Sequence, residues 1–276
     1  MTVALLALIT GCLLLGGAVW PSWAGEPIKI GALYNLTGDM ALIDVPAMKG
    51  VRLKARSAVI FTDKSLDFAK ALAAFFRQSF TQLGGKIIRE EFFSSPQDFP
   101  GLTAKLKALA PQPGVIFIAG GPELSARAVK EIREAGVNTP IAGGDSFDSD
   151  ALIREPGPGL ARDLYFSSHR LRGETGPEVR AFLDAYRQEY GHPPEDAFAA
   201  LGFDALGLIA AAIQRAGTAD PGSLSRALTQ LRDYQGVTGT ISYRPFRAPA
   251  KPVAIIGVRQ GRFHPLWSWQ PGGKQQ

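Results

Sequence analysis

The stretch GVIFIAGGPELSARAVKEIREAGVNTPIAGGDSFD, residues 114–148, decides the fold. Val115–Ala119 is an unbroken apolar run, as expected of a parallel strand buried on both faces. From Glu123 to Ala135 apolar residues recur at three-to-four spacing, which predicts a helix closed by Gly136. Pro140–Ala142 then starts a second strand that runs into the loop Gly143–Asp148. Strand, helix and parallel strand make a βαβ unit, and the units around it repeat the pattern. Upstream, Ser57–Phe61 is another apolar strand, with Thr62 and Asp63 placed to cap a helix. That helix carries Leu66, Ala69, Leu72, Ala73, Phe76 and Phe80 and ends at Gly84-Gly85. Strand Lys86–Phe93 and a helix around Leu102–Ala110 follow. Downstream the sequence predicts strand Leu164–Ser168, helices Pro177–Tyr190, Asp196–Ala216 and Gly222–Leu231, and strands Gly239–Tyr243 and Val253–Val258. A further strand, Ile28–Leu33, precedes the turn residues Asn35, Thr37 and Gly38. The class is α/β, a doubly wound parallel sheet.

The first 24 residues are uncharged, apolar from Val3 to Val19, and end in Pro21-Ser22-Trp23-Ala24. Small residues at −3 and −1 mark a secretory signal peptide cut after Ala24. Ile9-Thr10-Gly11-Cys12 offers the alternative of a lipoprotein cut before Cys12, which would leave an apolar stretch at the head of the mature chain. No Lys or Arg precedes the apolar run, which points to a start codon placed too late. Either cut makes an exported, periplasmic protein, and no later segment is expected to span a membrane. With 46% hydrophobic and 20% charged residues the 276-residue chain is an ordinary folded one, long enough for two lobes. Its single cysteine, Cys12, excludes a disulfide framework and thiolate metal sites. A net charge of +5 without clustered basic and aromatic side chains argues against nucleic acid as a partner.

Catalytic signatures are missing: there is no G-x-S-x-G, Walker A, G-x-G-x-x-G or H-E-x-x-H pattern. His169, His192 and His264 lack ligand spacing and read as solvent-facing or locally bonded residues. Asp145, Asp148 and Asp150 lack the glycine and closing glutamate of a calcium loop, so turn and cap roles are expected of the group. Neither a metal nor a cofactor is expected. Asp145 stands apart, because it follows a parallel strand at the carboxyl edge where doubly wound sheets bind small molecules. A carboxylate there suits a ligand ammonium.

The segments IKIGALYNLTGDMA, SAVIFTDKSLDFAKAL, residues 114–148, YFSSH, AFLDAYRQEYGHPPEDAFAALGFDALGLIAAAIQRAG and YQGVTGTISY, in that order, resemble the branched-chain amino-acid class of periplasmic solute-binding proteins. The resemblance implies a type I periplasmic-binding fold of two α/β lobes joined by three crossings, closing on a small molecule that is handed to a membrane ABC permease. It implies no enzyme activity and a monomer. It also implies that Asp145 receives the ligand ammonium with Ser146 and Phe147 beside it, and that Phe68 stands where relatives have a tyrosine against the ligand. Gly121 and Pro122 fall at another contact position, where an aromatic is common in relatives, and Thr37, Gly38 and Ile43 belong to the first-lobe loop facing the ligand. Turn and core roles explain several of these residues equally well, and Asp204 reads as a structural anchor in a helix.

One departure is large. Ser57–Asp63 already looks like the first strand of the second lobe, so several strand–helix units of the first lobe, roughly a hundred residues at ~30 per unit, are absent. The expected organisation is therefore a signal peptide at 1–24, a first-lobe remnant at 25–54 plus 170–238, a second lobe at 55–169 plus 239–270, and a tail at 271–276. Helices left without their sheet should expose apolar surface. Two other readings stand beside transport: an internally deleted paralogue that binds nothing, and an enzyme on the same scaffold.

Overall fold

A computed structural model describes residues 55–169, 176–243 and 249–269. The signal segment, Cys12, the strand at 28–33, Thr37, Ile43, the rest of the 25–54 remnant and the 271–276 tail lie outside the described residues. The chain runs β1 Ser57–Asp63, α1 Asp67–Gln82, β2 Lys86–Phe93, α2 Phe99–Lys107, β3 Val115–Ala119, α3 Pro122–Glu134, β4 Ile141–Gly143, α4 Ala151–Arg154 and β5 Leu164–Ser168. It continues through α5 Pro177–Tyr190, α6 Phe198–Ala216, α7 Pro221–Thr229, the strands β6 Tyr234–Gly236 and β7 Gly239–Ile241, then β8 Val253–Arg259 and β9 Arg262–Trp269.

Seven strands form one sheet in the order β2-β1-β3-β4-β5-β8-β9. The first five are parallel; β8 and β9 join antiparallel, so the sheet is mixed at one end where the sequence read as parallel throughout. Alternate residues of each strand point to opposite faces. Val59, Phe61, Ile116, Ile118 and Phe166 face a core that also takes in Phe99, Leu106, Ile132 and Leu152 of α2, α3 and α4. Ala58, Ile60, Val115 and Phe117 face the other way onto Ala69, Ala73, Phe76 and Phe80 of α1. There Phe76 stacks on Phe117 with ring centroids 3.9 Å apart. Helices on both faces of a sheet that winds outward from β1 to either side make it doubly wound.

Local chemistry moves several boundaries. Thr62 and Asp63 do not cap α1; they pair with Phe92 and Phe93 and extend β1. Leu66 precedes α1 without a side-chain cap, while Asp63 Oδ1 accepts from the Ser65 N–H at 3.0 Å and its hydroxyl at 2.6 Å. Before α2 the Asp98 carboxylate accepts from the Ser94 and Ser95 N–H groups at 2.8 and 3.1 Å. That bond pair and Pro100 in the first turn start the helix at Phe99, three residues earlier than the periodicity suggests.

The helices α5, α6 and α7 and the β6–β7 hairpin form a second, mostly helical unit. Asp204 of α6 ties it together: one oxygen accepts from Val237 N–H at 2.7 Å, the other from Thr238 N–H at 2.9 Å and the Thr238 hydroxyl at 2.5 Å. The anchoring role expected of Asp204 is what its contacts describe. Two backbone bonds fasten this unit to the β4 loop, Ala197 N–H to Asp148 O at 3.2 Å and Asp150 N–H to Glu195 O at 3.1 Å.

Only the stripe Ala200, Asp204, Leu208 and Ala212 of α6 is buried. Phe198, Phe203 and Leu206 are exposed, Leu206 to 64%. The exposed apolar surface anticipated from a shortened first lobe is present among the described residues. By length and composition α6 is also apolar enough to cross a membrane, contrary to the expectation that no later segment is. Its buried stripe packs instead against α7 and the hairpin, with Leu208 and Ala212 in one cluster with Ala227, Leu231 and Ile241.

Candidate functional site

Parallel pairing brings the carboxyl ends of β2, β1, β3, β4 and β5 to one edge of the sheet. Asp145 enters this edge on a 3-10 turn, Asp145–Phe147, directly after β4. The turn is closed by Phe147 N–H to Gly144 O at 3.1 Å and Asp148 N–H to Asp145 O at 2.9 Å. Phe147 anchors it: the ring is buried in the core against Phe166, their centroids 6.2 Å apart. This leaves the Asp145 side chain about 30% exposed at the lip, with His169 Nε2 at 3.5 Å from its Oδ2.

Burial works against ionisation of Asp145, but the hydrogen bond and charge of His169, together with the N–H groups of Asp145 and Ser146, outweigh it and hold the carboxyl below the usual range. The group is an anion at neutral pH. Next to it Ser168, the last residue of β5, donates from its hydroxyl to Asp148 Oδ2.

The edge also carries spare hydrogen-bonding capacity. Buried Asp63 Oδ2, Ser125 Oγ, Ser146 Oγ and His169 Nδ1 have no partner among the described residues. Asp63 Cβ and Ser125 Oγ both border the space beside Gly120, where an added Cβ would lie 3.4 and 3.0 Å from them. Buried polar atoms are nearly always paired in folded proteins, so unpaired ones concentrated at one edge suit a polar molecule.

Of the residues expected at the site, the structure brings Asp145, Ser146, Phe68, Gly121 and Pro122 to this edge. Phe68 is partly exposed in the first turn of α1, and the neighbouring Leu66 Cδ1 lies 3.5 Å from where a Gly121 Cβ would be. Gly121 and Pro122 begin α3, Gly121 as its N-cap residue. Ser146 is buried behind the lip, and Phe147 turns into the core, so its side chain supports the turn from beneath. Thr37 and Ile43 are outside the described residues. His169, read from the sequence as solvent-facing or locally bonded, is about 15% exposed and stands beside Asp145; the carboxyl-edge rule, applied to β5 as to β4, points to its position. Among the described residues no group of three His, Cys, Asp or Glu side chains is placed to hold a metal ion. A separate cleft, lined by Lys107, Gln112, Val137 and Asn138, lies at the opposite edge.

The lip depends on Gly143. A Cβ there would meet the Phe147 ring at 2.5 Å, and that ring has no room to swing. Gly143→Ala is expected to destabilise the sheet unit by about 1–3 kcal/mol, as overpacking of a filled core does. Denaturant unfolding checks it, and a change below about 0.5 kcal/mol, the range of surface substitutions, would show that the turn yields freely.

A doubly wound sheet with an anionic lip, joined through its loops to a second helical unit, defines an α/β protein of two parts. The comparisons specify which kind. The family profile described as periplasmic binding protein matches residues 46–262, and the chain belongs to that family. A Leu/Ile/Val-binding protein homologue of Brucella suis is 28% identical over 208 residues, covering 73% of this chain and 53% of that protein. The crystal structure of a leucine-binding protein from Thermotoga maritima superposes with a TM-score of 0.73 at 28% identity, covering 84% of this chain and 66% of that one. A branched-chain amino-acid transporter substrate-binding protein from Streptococcus pneumoniae, in complex with isoleucine, gives a TM-score of 0.68 at 28% identity, covering 81% of this chain and 62% of that one. The chain spans about half the length of the curated relatives it matches.

Proposed function

We propose that this chain is the exported substrate-binding component of an ABC transporter and receives a branched-chain amino acid, or a similar small molecule bearing an ammonium group, for delivery to a membrane permease. The observation that carries the reading is the ionised Asp145 carboxylate on a rigid turn at the carboxyl edge of the sheet. A ligand ammonium would pair with Asp145, its side chain would lie toward Phe68, Gly121 and Pro122, and Ser146 would support the turn. Thr37 and Ile43 would face it from the other lobe. Binding would work by a shift of the open and closed populations, with no covalent step. The organisation that goes with this is a signal peptide cut after Ala24, a shortened first lobe from 25–54 and 170–238, and a second lobe from 55–169 and 239–270.

Residues 25–276 should unfold cooperatively, and a ligand at 100 times its dissociation constant should stabilise the fold by about 2.7 kcal/mol. A thermal-shift screen against amino acids, their amides and small carboxylates reads this directly. A transition raised by an α-amino acid supports the proposal. The second reading, a shortened paralogue that binds nothing, is favoured by the exposed Phe198, Phe203 and Leu206 of α6. A transition that no compound in the panel moves would select it.

A further inference from the structure

We propose that His169 is a built-in competitor for Asp145, so that the site accepts an ammonium ligand at neutral pH and releases it as the imidazole takes up a proton. The inference rests on the reading of Asp145 as the ammonium receptor. Its basis is geometric: His169 Nε2 lies 3.5 Å from Asp145 Oδ2, on the next strand of the same edge, with the ring about 15% exposed. A neutral imidazole there can donate Nε2–H to the carboxylate, fixing its rotamer while leaving its full negative charge to attract a ligand. Once protonated, the same ring carries a positive charge within ion-pair distance of Asp145, and a ligand ammonium must then approach a carboxylate already neutralised. The two cations exclude each other.

The surroundings favour a choice between these states. His169 Nδ1 is buried without a partner among the described residues, so no second bond from them fixes the tautomer. The nearest described acidic group in sequence is Asp148, three residues after Asp145, whose Oδ2 accepts from the Ser168 hydroxyl; Asp63, at the end of β1 and three positions from β5 in the sheet order, accepts from Ser65. From the β8 side the nearest described charged residue in sequence is Lys251, whose Nζ donates to the Thr238 hydroxyl at 2.6 Å. From α1 the side chain recorded against the β4 loop is that of Leu72, which carries no charge. With a charged His169 beside it, Asp145 is held below the usual carboxylate range, so the carboxylate stays ionised while the ring carries its proton. His169 acts through Asp145 and is a positioning residue.

The test is calorimetric titration of residues 25–276 with L-isoleucine and with its deaminated analogue, for the natural sequence and His169→Gln, at about pH 8 and about pH 5.5, which bracket imidazole titration. Gln keeps an N–H donor near the carboxylate and removes the proton switch. The natural sequence should lose affinity for L-isoleucine about fivefold or more at the lower pH, a modest coupling between two sites, while His169→Gln stays level. The deaminated analogue, which has no ammonium to compete, should show no such loss. Equal affinity at both pH values in the natural sequence, or the same pH response in His169→Gln, overturns the proposal while leaving the Asp145 reading intact. Absence of L-isoleucine binding at either pH overturns both.

Discussion

Replacing Asp204 with alanine is expected to lower the unfolding free energy by about 3–5 kcal/mol, the cost of leaving buried polar groups without their charged partner. The side chain is 2% exposed and accepts three hydrogen bonds from Val237 and Thr238 across the only polar seam between α6 and the hairpin that the described contacts record. Without it two backbone N–H groups stay buried and unanswered, and the Thr238 hydroxyl loses its acceptor while still receiving the Lys251 ammonium. Gly236 shows how closely the seam is fitted, since a Cβ there would come within 2.6 Å of Asp204 Oδ2. Asp204→Asn, which keeps one acceptor oxygen, should lose less. Denaturant unfolding of both variants is the measurement, and an alanine variant within about 0.5 kcal/mol of the natural chain, as a surface site would be, removes the anchor role.

Asp145→Ala is the largest functional effect expected. Leaving a buried ligand ammonium without its carboxylate costs about 2–5 kcal/mol, or roughly 30-fold to several thousandfold in the dissociation constant. Calorimetric titration with the amino acid found in the screen would measure it, and unchanged affinity would remove Asp145 from the site. The same group has a signature in stability. Its folded pKa is depressed, so it stabilises the fold at neutral pH, and that contribution fades as acid protonates it. Asp145→Asn should therefore flatten the acid limb of the stability profile below about pH 4, where an unfolded aspartate takes up its proton.

Most of the sheet unit was legible because each of its elements has a single physical reading. The runs at 57–61 and 115–119 are too short and too apolar to be anything but buried parallel strands, and Phe76 and Phe80 mark the inner face of α1. Boundaries were less legible where the deciding bond is tertiary: Thr62 and Asp63 look like caps until β2 is placed beside them. The antiparallel joining of β8 was hidden for the same reason, since its apolar run has no polarity of its own. The position of Asp145 at the carboxyl edge was readable from its place after a strand, whereas Phe147 reads identically as wall or core until the turn fixes its direction. His169 was hidden because its partner lies 24 positions away in sequence, and spacing rules see only near neighbours.

The seating of β8 between β5 and β9 fixes an order of events in the life of the chain. Phe166 pairs with Ile256 and Ser168 with Ala254, across nearly the whole helical unit. Until residues 253–269 have been synthesised, a nascent chain carries β5 with one side of its ladder open, and loop closure over so long an interval is slow. The β5 ladder is thus completed only after the helical unit has been made. A polypeptide that must thread a secretion channel before it folds would gain from such a delay, because the strand that locks the structure follows the whole helical unit in the chain.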